Sequence, residues 1–308
     1  MVKSYQETAR GLELLSDASE MVHYDEPGIA LYIRRGVLSD FPDHRADCHW
    51  HEDLEFIHIL EGEMEYAVDG ARISLRRGDV LFVNARRLHY GWGPRGEECV
   101  FTCVLVDPGL LTANETMFRR LILPLTENEA LPFVLFSPGN EDYERAAAHM
   151  NALRSLKAEG RRGYQLLAVG ELAGLALEIG ETAEGSLSAA PDDERLAAAK
   201  KMVAFIQTHF AEELTLDTIA VSGSVSRSTC CRLFKTYVLQ TPIRFLNDFR
   251  LRAARERLER TDLGITRIAA ECGFGDAGYF TRQFRAAFGC TPKEYRRKTP
   301  ESKKQAGL

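Results

Sequence analysis

The chain has 308 residues, of which 45% are hydrophobic and 27% are charged, and it contains 24 Gly and 11 Pro. This composition excludes collagen-like, low-complexity and wholly disordered chains, and the length suggests two domains, each with its own core. Neither an apolar run long enough to span a membrane nor the apolar core of a signal peptide is present, so we expect a cytoplasmic protein. The seven cysteines are predicted to be free thiols, because their number is odd and their spacing fits no zinc or disulfide pattern.

The net charge of −6 is unevenly distributed along the chain. Residues 1–190 contain 18 Lys and Arg against 31 Asp and Glu, whereas residues 191–308 contain 21 against 14. From residue 225 onward the balance is 18 to 8, a net charge of +10. A local basic excess of this size is typical of a surface that binds a polyanion, although charge alone is equally compatible with a solvated basic surface.

The acidic part begins with short apolar and β-branched segments that Gly, Asp and Asn separate. They predict strands over 28–33, 54–60, 64–68, 72–75, 80–83 and 100–106, with Val68-Asp69-Gly70-Ala71 as a hairpin turn. Strands of this length and spacing indicate a small antiparallel barrel or sandwich. Apolar residues at helical spacing then predict helices over 143–159 and 164–182, and the small residues of 184–191 predict a linker.

Histidines and a carboxylate cluster within the predicted strands. The residues concerned are His49, His51, Glu55 and His89. This set resembles the cupin pattern, in which His-x-His, a nearby Glu and a later His converge inside a barrel. Three interpretations stay open: a site for iron, zinc or manganese, a pocket for an organic ligand, or hydrogen-bonded core histidines. Glu55 would lie about 13 Å beyond His51 on a straight strand, so a shared site requires a turn near Asp53.

The basic part contains an internal repeat of about fifty residues. Thr218-Ile219-Ala220 match Arg267-Ile268-Ala269 at an offset of 49, which becomes 50 after one inserted residue. The matches at offset 50 are Arg232 with Arg282, Phe234 with Phe284, and Thr241-Pro242 with Thr291-Pro292. Several matched positions at one spacing indicate a duplication.

Each repeat has the pattern of a helix-turn-helix: a short apolar helix over 216–221 or 265–272, a tight turn, and a second helix capped by Ser226 or Asp276. The residues predicted to face outward and contact DNA are Arg227, Ser228, Cys231, Arg232, Lys235, Ala277, Gly278, Thr281, Arg282 and Arg285. Arginine can bond a guanine edge or a phosphate from a helix in the major groove. Pro242 and the run to residue 258 predict one long connecting helix, which must hold the two recognition helices about 34 Å apart for successive major grooves.

Residues 192–298 resemble the DNA-binding domain of the AraC/XylS family of bacterial transcription regulators. The most specific segment is Gly273-Phe274-Gly275-Asp276, continuing through Tyr279-Phe280, Phe284, Phe288-Gly289, Thr291-Pro292 and Tyr295-Arg296. The cupin-like part and its two helices match that family's sensor and dimerisation arm more loosely. The resemblance implies a two-domain α+β chain. It consists of a cupin-like antiparallel β-barrel with helices (1–183), a linker (184–191), an all-α double helix-turn-helix (192–298) and a polar tail (299–308).

The first repeat departs from the family pattern at two positions. Ser224 replaces the turn glycine that is Gly273 in the second repeat, and Leu239 replaces the helix-end glycine that is Gly289. Both replacements remove the residue that tolerates a left-handed backbone. We therefore expect the first recognition helix to be less base-specific than the second.

Together these features predict a non-enzymatic transcription regulator. The expected partners are double-stranded promoter DNA, a small-molecule effector in the N-terminal barrel, a second copy of the chain and RNA polymerase; no membrane and no cofactor are predicted. The alternatives are a metal-dependent cupin enzyme fused to a DNA-binding domain, and an N-terminal protein-interaction module without a small ligand. The sequence leaves activation or repression, the effector and the operator undetermined.

Overall fold

The computed structural model describes residues 12–94, 96–139, 141–183 and 193–298. The chain forms two compact units, Met1–Leu196 and Ala197–Leu308. The first unit combines antiparallel strands with helices and the second is helical, which confirms the predicted fold class. The predicted linker at 184–191 and the polar tail at 299–308 lie outside the described residues. Within the described ranges, none of the helices has the length and apolar character that a membrane crossing requires.

The first unit is built around one long strand. The strands are β1 (Leu31–Val37), β2 (Leu54–Val68), β3 (Ala71–Arg76), β4 (Val80–Val83), β5 (His89–Trp92), β6 (Cys99–Val106) and β7 (Phe133–Phe136). They pair in the order β1-β6-β2-β4-β7, and β3 and β5 pair with the C-terminal part of β2. Every pairing of these strands is antiparallel. The register with β6 shifts between Ile59 and Glu61, and β2 pairs with β3 from Glu63 onward and also with β5 from Glu65 onward. The two strands predicted over 54–60 and 64–68 are therefore one continuous strand.

The hairpin predicted at Val68-Asp69-Gly70-Ala71 is present. Val68 pairs with Ala71 across the turn, and Asp69 and Gly70 have φ angles of 47° and 87°. Positive φ at both central residues is the geometry of a type I′ turn, which matches the right-handed twist of the flanking strands. The sequence prediction missed β5 and β7, because each has four residues and no clear alternation.

Short helical segments connect the strands to two long helices. The 3-10 turns are Leu38–Asp40, Pro42–His44 and Pro108–Leu111, followed by α1 (Glu115–Met117), a π turn (Phe118–Ile122) and α2 (Leu123–Thr126). The long helices are α3 (Glu141–Glu159) and α4 (Tyr164–Ala183). The predicted helices over 143–159 and 164–182 are thus confirmed to within two residues.

Alternation along β2 assigns its side chains to two cores. Leu54 and Phe56 belong to the cluster that packs against α3 and α4, whereas Ile57 and Ile59 belong to a second cluster between the strands. Successive side chains of a strand point to opposite faces. Glu55, which is 5% exposed, therefore lies on the same face as Ile57, inside the barrel.

The described range 193–298 contains seven helices. They are α5 (Asp193–His209), α6 (Leu216–Ser222), α7 (Arg227–Leu233) with a π turn (Phe234–Val238), α8 (Pro242–Arg260), α9 (Ile265–Glu271), α10 (Ala277–Phe288) and α11 (Pro292–Lys298). Helix α8 confirms the predicted long connection between the repeats. Its first half packs Phe245 on Phe234 of the first repeat, and its second half contributes Leu251, Ala254 and Leu258 to the core of the second.

The two repeats make the same turn with different residues. Ser224 N donates to Val221 O, and Gly273 N donates to Ala270 O at the equivalent position. Ser224 has φ 55° and Gly273 has φ 79°. The first repeat therefore keeps the left-handed turn although it lacks the glycine. The same holds at the helix end, where Leu239 has φ 60° and Gly289 has φ 72°.

We expect Ser224→Gly to stabilise the second unit by about 0.5–1 kcal/mol. A left-handed conformation costs a residue with a Cβ about 1–2 kcal/mol, and glycine avoids this cost. Glycine also loses more conformational entropy on folding, which offsets about 0.5–1 kcal/mol of the gain. Ser224 is exposed, so the substitution removes no packing. Denaturant unfolding of the full chain followed by circular dichroism at 222 nm measures the change. Ser222→Gly, which changes the last residue of α6 and removes the hydrogen bond from Ser222 Oγ to Ile219 O (2.7 Å), is the control and should destabilise by about 1 kcal/mol.

Candidate functional site

The backbone brings three histidines of the barrel together. His49 and His89 form an antiparallel bridge, in which His49 N donates to His89 O (3.1 Å) and His89 N donates to His49 O (2.8 Å). Directly opposed residues of such a pair present their side chains on one face, and His51 follows on that face two residues later. The ring centroid of His89 lies 4.2 Å from that of His49 and 4.7 Å from that of His51.

Backbone carbonyls fix the orientation of all three rings. His49 Nδ1 bonds to Asp47 O (2.7 Å), His51 Nδ1 to Asp53 O (3.0 Å) and His89 Nδ1 to Arg87 O (2.8 Å). A carbonyl oxygen only accepts, so each Nδ1 donates, and in the neutral ring the lone pair is then on Nε2. One ligand atom from each ring lies within 4.8 Å of the others.

Two carboxylates border the histidines. The chain bends at Glu52 and Asp53, and Glu55 Oε2 lies 3.3 Å from His89 Nε2, so the turn that a shared site requires is present. Glu20 Oε2 lies 3.6 Å from His49 Nε2. Tyr66 OH donates to Glu55 Oε2 (2.8 Å) and holds that carboxyl group in place.

Burial keeps the cluster close to neutral. Desolvation lowers the pKa of His49 to about 4 and that of His51 to about 3. It raises the pKa of Glu55 to about 7, and together with the charges of Glu55 and Asp53 it raises that of Glu20 to about 8. At neutral pH the imidazoles of His49 and His51 are therefore uncharged, and their Nε2 lone pairs are available to a ligand.

The sequence prediction placed His49, His51, Glu55 and His89 together, and the structure brings all four into one buried site. It missed Glu20, Tyr66 and Cys103, whose Sγ lies 3.6 Å from Glu55 Oε1. Tyr66 could have been found, because it occupies an inward position of β2. Glu20 precedes β1 in a segment without strand pattern, and the hydrogen bond from its N to Trp50 O (2.8 Å) and the bridge between Ser19 and Trp50 place it beside the site.

The candidate nucleic-acid interface lies on the two recognition helices, α7 and α10. Ser226 Oγ accepts from Thr229 N, and an Asp276 carboxylate oxygen accepts from Tyr279 N, so both predicted caps are present. The residues predicted to contact DNA fall into two groups by exposure. Arg227, Ser228, Arg232, Lys235, Gly278, Arg282 and Arg285 are exposed, and Cys231, Ala277 and Thr281 are half-buried.

The predicted DNA-contacting arginines differ in their partners. Arg227 makes a bidentate ion pair with Asp217 of the preceding helix α6. Arg232 and Arg282 occupy equivalent positions of α7 and α10, and neither makes an ion pair with any described residue. Their guanidinium groups are therefore available to a phosphate or a base edge.

Two family models match successive parts of the chain. An AraC-like ligand binding domain matches residues 34–176, and a helix-turn-helix domain matches residues 219–298. The chain belongs to the AraC family of transcription regulators. This AraC-family protein is thus a DNA-binding transcription regulator with a ligand-binding domain, as the resemblance predicted.

Curated relatives agree with the AraC assignment. The uncharacterized HTH-type transcriptional regulator YdeC of Bacillus subtilis (strain 168) is 27% identical over 252 residues, which cover 81% of this chain and 85% of YdeC. The HTH-type transcriptional activator RhaS of Enterobacter sp. (strain 638) is 41% identical over 105 residues, which cover 34% of this chain and 37% of RhaS. Both relatives are transcription regulators, and this chain matches little more than a third of the length of RhaS.

A solved structure is also similar. The AraC-type DNA-binding regulator from Chromobacterium violaceum is 32% identical, with a TM-score of 0.32. The match covers 34% of this chain and 93% of that chain.

Proposed function

We propose that this AraC-family protein binds a promoter through both recognition helices and that a small ligand in the N-terminal barrel controls it. The observation that carries the proposal is the pair of equivalent, exposed arginines, Arg232 and Arg282, on helices that α8 connects. The net charge of +10 from residue 225 onward supports a DNA partner. The buried, convergent polar groups of the barrel support a ligand, because they distinguish an occupied from an empty state.

The two recognition helices are proposed to contribute unequally to sequence choice. In the first, Arg227 is engaged by Asp217, and Ser224 and Leu239 hold strained left-handed conformations. In the second, glycines occupy both turn positions. The second helix therefore presents its exposed side chains without these constraints, and we assign it the larger share of specificity.

We expect Arg282→Ala to weaken operator binding about 5- to 150-fold, which corresponds to about 1–3 kcal/mol. Binding to random DNA should change far less, because random DNA rarely presents the base that Arg282 contacts in the operator. Arg232→Ala should cost less than Arg282→Ala at the operator. Fluorescence anisotropy with operator and scrambled duplexes at one salt concentration measures both effects.

Arg260→Ala is the matched control for the lost charge. Arg260 is exposed at the end of α8, where it pairs with Glu256 (2.9 Å), and it is on neither recognition helix. Its replacement should affect operator and random DNA alike. If Arg282→Ala also weakened both DNAs equally, Arg282 would contact phosphate and the assignment of base reading to it would be wrong.

A homodimer is proposed to form through α4. Leu166 and Leu177, which are 80% and 55% exposed, lie on one face of this helix, and Leu167 beside them is 54% exposed. Large apolar side chains in such a patch favour burial against a second surface. A second copy of the chain fits a promoter with repeated half-sites. Contact with RNA polymerase and action in the cytoplasm remain predictions from the sequence.

A further inference from the structure

We propose that Asp217 neutralises Arg227 and keeps its guanidinium group from binding DNA phosphates. The inference rests on the proposed binding of DNA through α7 and α10. It assigns a role to a residue of α6, outside both recognition helices. That role is to limit how strongly the first repeat binds DNA of any sequence.

The first argument is the position of the two residues. Arg227 is the first residue of α7, and its side chain is 66% exposed. In a helix-turn-helix, the N-terminal residues of the recognition helix reach the DNA, and the helix before it crosses the phosphate backbone. A free guanidinium at this position would therefore have phosphates within reach. Asp217, on the preceding helix α6, places a negative charge at the same point of the surface.

The second argument is the geometry of the ion pair. Arg227 Nε and Nη2 donate to Oδ1 and Oδ2 of Asp217. This bidentate arrangement is also the one in which an arginine binds a phosphate, so a phosphate must displace the carboxylate to make it. The hydrogen bonds from Arg227 lower the pKa of the Asp217 carboxyl, which is therefore ionised at neutral pH. As a pair, the two side chains carry no net charge.

The third argument is the comparison of the two repeats. At the offsets of 49 and 50 residues, Asp217 corresponds to Thr266 and Arg227 corresponds to Ala277. The second repeat thus lacks both charges, yet it forms the same two helices and the same left-handed turn. The ion pair is therefore not needed to build a helix-turn-helix of this kind. Its remaining effect is on the charge that the first repeat presents to DNA.

The expected effect is modest but has a specific signature. Exposed ion pairs are weak, and their usual strength corresponds to about a 1.5- to fivefold change in an equilibrium constant. Each additional phosphate contact steepens the slope of log K against log salt concentration by about 0.9. Release of Arg227 should therefore strengthen binding to random DNA about 1.5- to fivefold at low salt and steepen the slope by about 0.9.

The test compares three forms of the full chain on a scrambled duplex. Fluorescence anisotropy from about 50 to about 200 mM salt gives the affinity and the salt slope. Asp217→Thr, which copies the second repeat, should show the tighter binding and the steeper slope. The double variant Asp217→Thr with Arg227→Ala should bind as the wild type does and with the wild-type slope, because both carry no net charge at these positions.

Glu256→Gln is the control for a lost negative charge. Glu256 pairs with Arg260 (2.9 Å) in another exposed ion pair of the second unit, on α8, which is not a recognition helix. This variant should keep the wild-type salt slope. Circular dichroism at 222 nm checks the folding of all variants, and Asp217→Asn replaces Asp217→Thr if the threonine variant is unfolded.

Three results would overturn the inference. Weaker binding by Asp217→Thr would mean that Asp217 positions Arg227 for a contact with DNA. A gain that persists in the double variant would mean that Asp217 repels DNA by itself and does not act through Arg227. Weaker binding and a shallower slope in the double variant than in the wild type would mean that Arg227 already contacts a phosphate.

The operator duplex separates this inference from the proposed function. A wild type that binds operator and scrambled duplexes equally would contradict the proposed function. The comparison of the variants on the scrambled duplex would still decide the role of Asp217, because it does not depend on sequence choice. Conversely, a wild type that prefers the operator, with variants that show no gain, supports the proposed function and overturns the role of Asp217.

Discussion

We expect Gly273→Ala to destabilise the second unit by about 3 kcal/mol. A Cβ at this position would lie 2.5 Å from Phe210 O and 2.8 Å from both Nε and Nη2 of Arg250. Arg250 is buried and donates to Phe210 O (2.7 Å) and Glu212 O (2.6 Å), so neither neighbour can move without breaking these bonds. The cost combines overpacking, about 1–3 kcal/mol, with the strain of φ 79° at a residue that has a Cβ.

Gly289→Ala is the control for backbone strain alone. Gly289 has φ 72°, and a Cβ there meets no atom within 4 Å. This variant should lose about 1 kcal/mol, the strain without the overlap. Circular dichroism at 222 nm during urea unfolding follows the helical unit. Equal losses of unfolding free energy in the two variants would show that the close approach of Gly273 to Phe210 and Arg250 does not contribute to the cost of the substitution.

The second large effect is expected at Asn84, which is fully buried next to β4. Its Nδ2 donates to Leu125 O (2.8 Å) and Leu131 O (3.0 Å), and its Oδ1 accepts from Ala85 N (2.9 Å). Asn84→Ala leaves these three backbone groups without their partner, at about 1–3 kcal/mol for each one that stays buried. We expect a loss of about 3 kcal/mol or more from the first unit.

Tryptophan fluorescence during urea unfolding isolates this effect, because Trp50 and Trp92 are the chain's two tryptophans and both lie in the first unit. Asn128→Ala is the matched control in the same connection. Asn128 is half-buried, and its side chain accepts one bond from Ala130 N (3.0 Å), so its loss should cost about 1 kcal/mol or less. A loss at Asn84 no larger than that at Asn128 would mean that water replaces the missing amide.

The sequence predicted the elements that carry a strong local pattern. Helix α4 has apolar residues at helical spacing and few breakers, and Asp69-Gly70 has the residues that a type I′ turn requires, so both could be predicted. Strand β5 begins at His89 and contains Gly91, and its sequence alone does not predict a strand. Its backbone hydrogen bonds come from its pairing with β2. Such strands form because a partner is present, which a local pattern cannot show.

The site was predictable to the extent that its residues lie in a motif. His49 and His51 alternate on one segment, and their cupin-like spacing to Glu55 suggested a shared pocket. Glu20 comes from a segment whose position depends on a hydrogen bond to Trp50 O, so no spacing rule could find it. Likewise, the pairing of Arg227 with Asp217 depends on the angle between α6 and α7, which the sequence does not specify.

Under the proposed binding through both recognition helices, helix α8 restricts the mutations that an operator can accept. It is one helix of 19 residues, about 28 Å long, and each of its halves packs into a different repeat. One base pair inserted between two half-sites moves the second by about 3.4 Å and rotates it by about 36° around the duplex. A continuous helix can follow neither change. Promoters under this regulator can therefore vary in sequence between the half-sites, but they are constrained against insertions and deletions there.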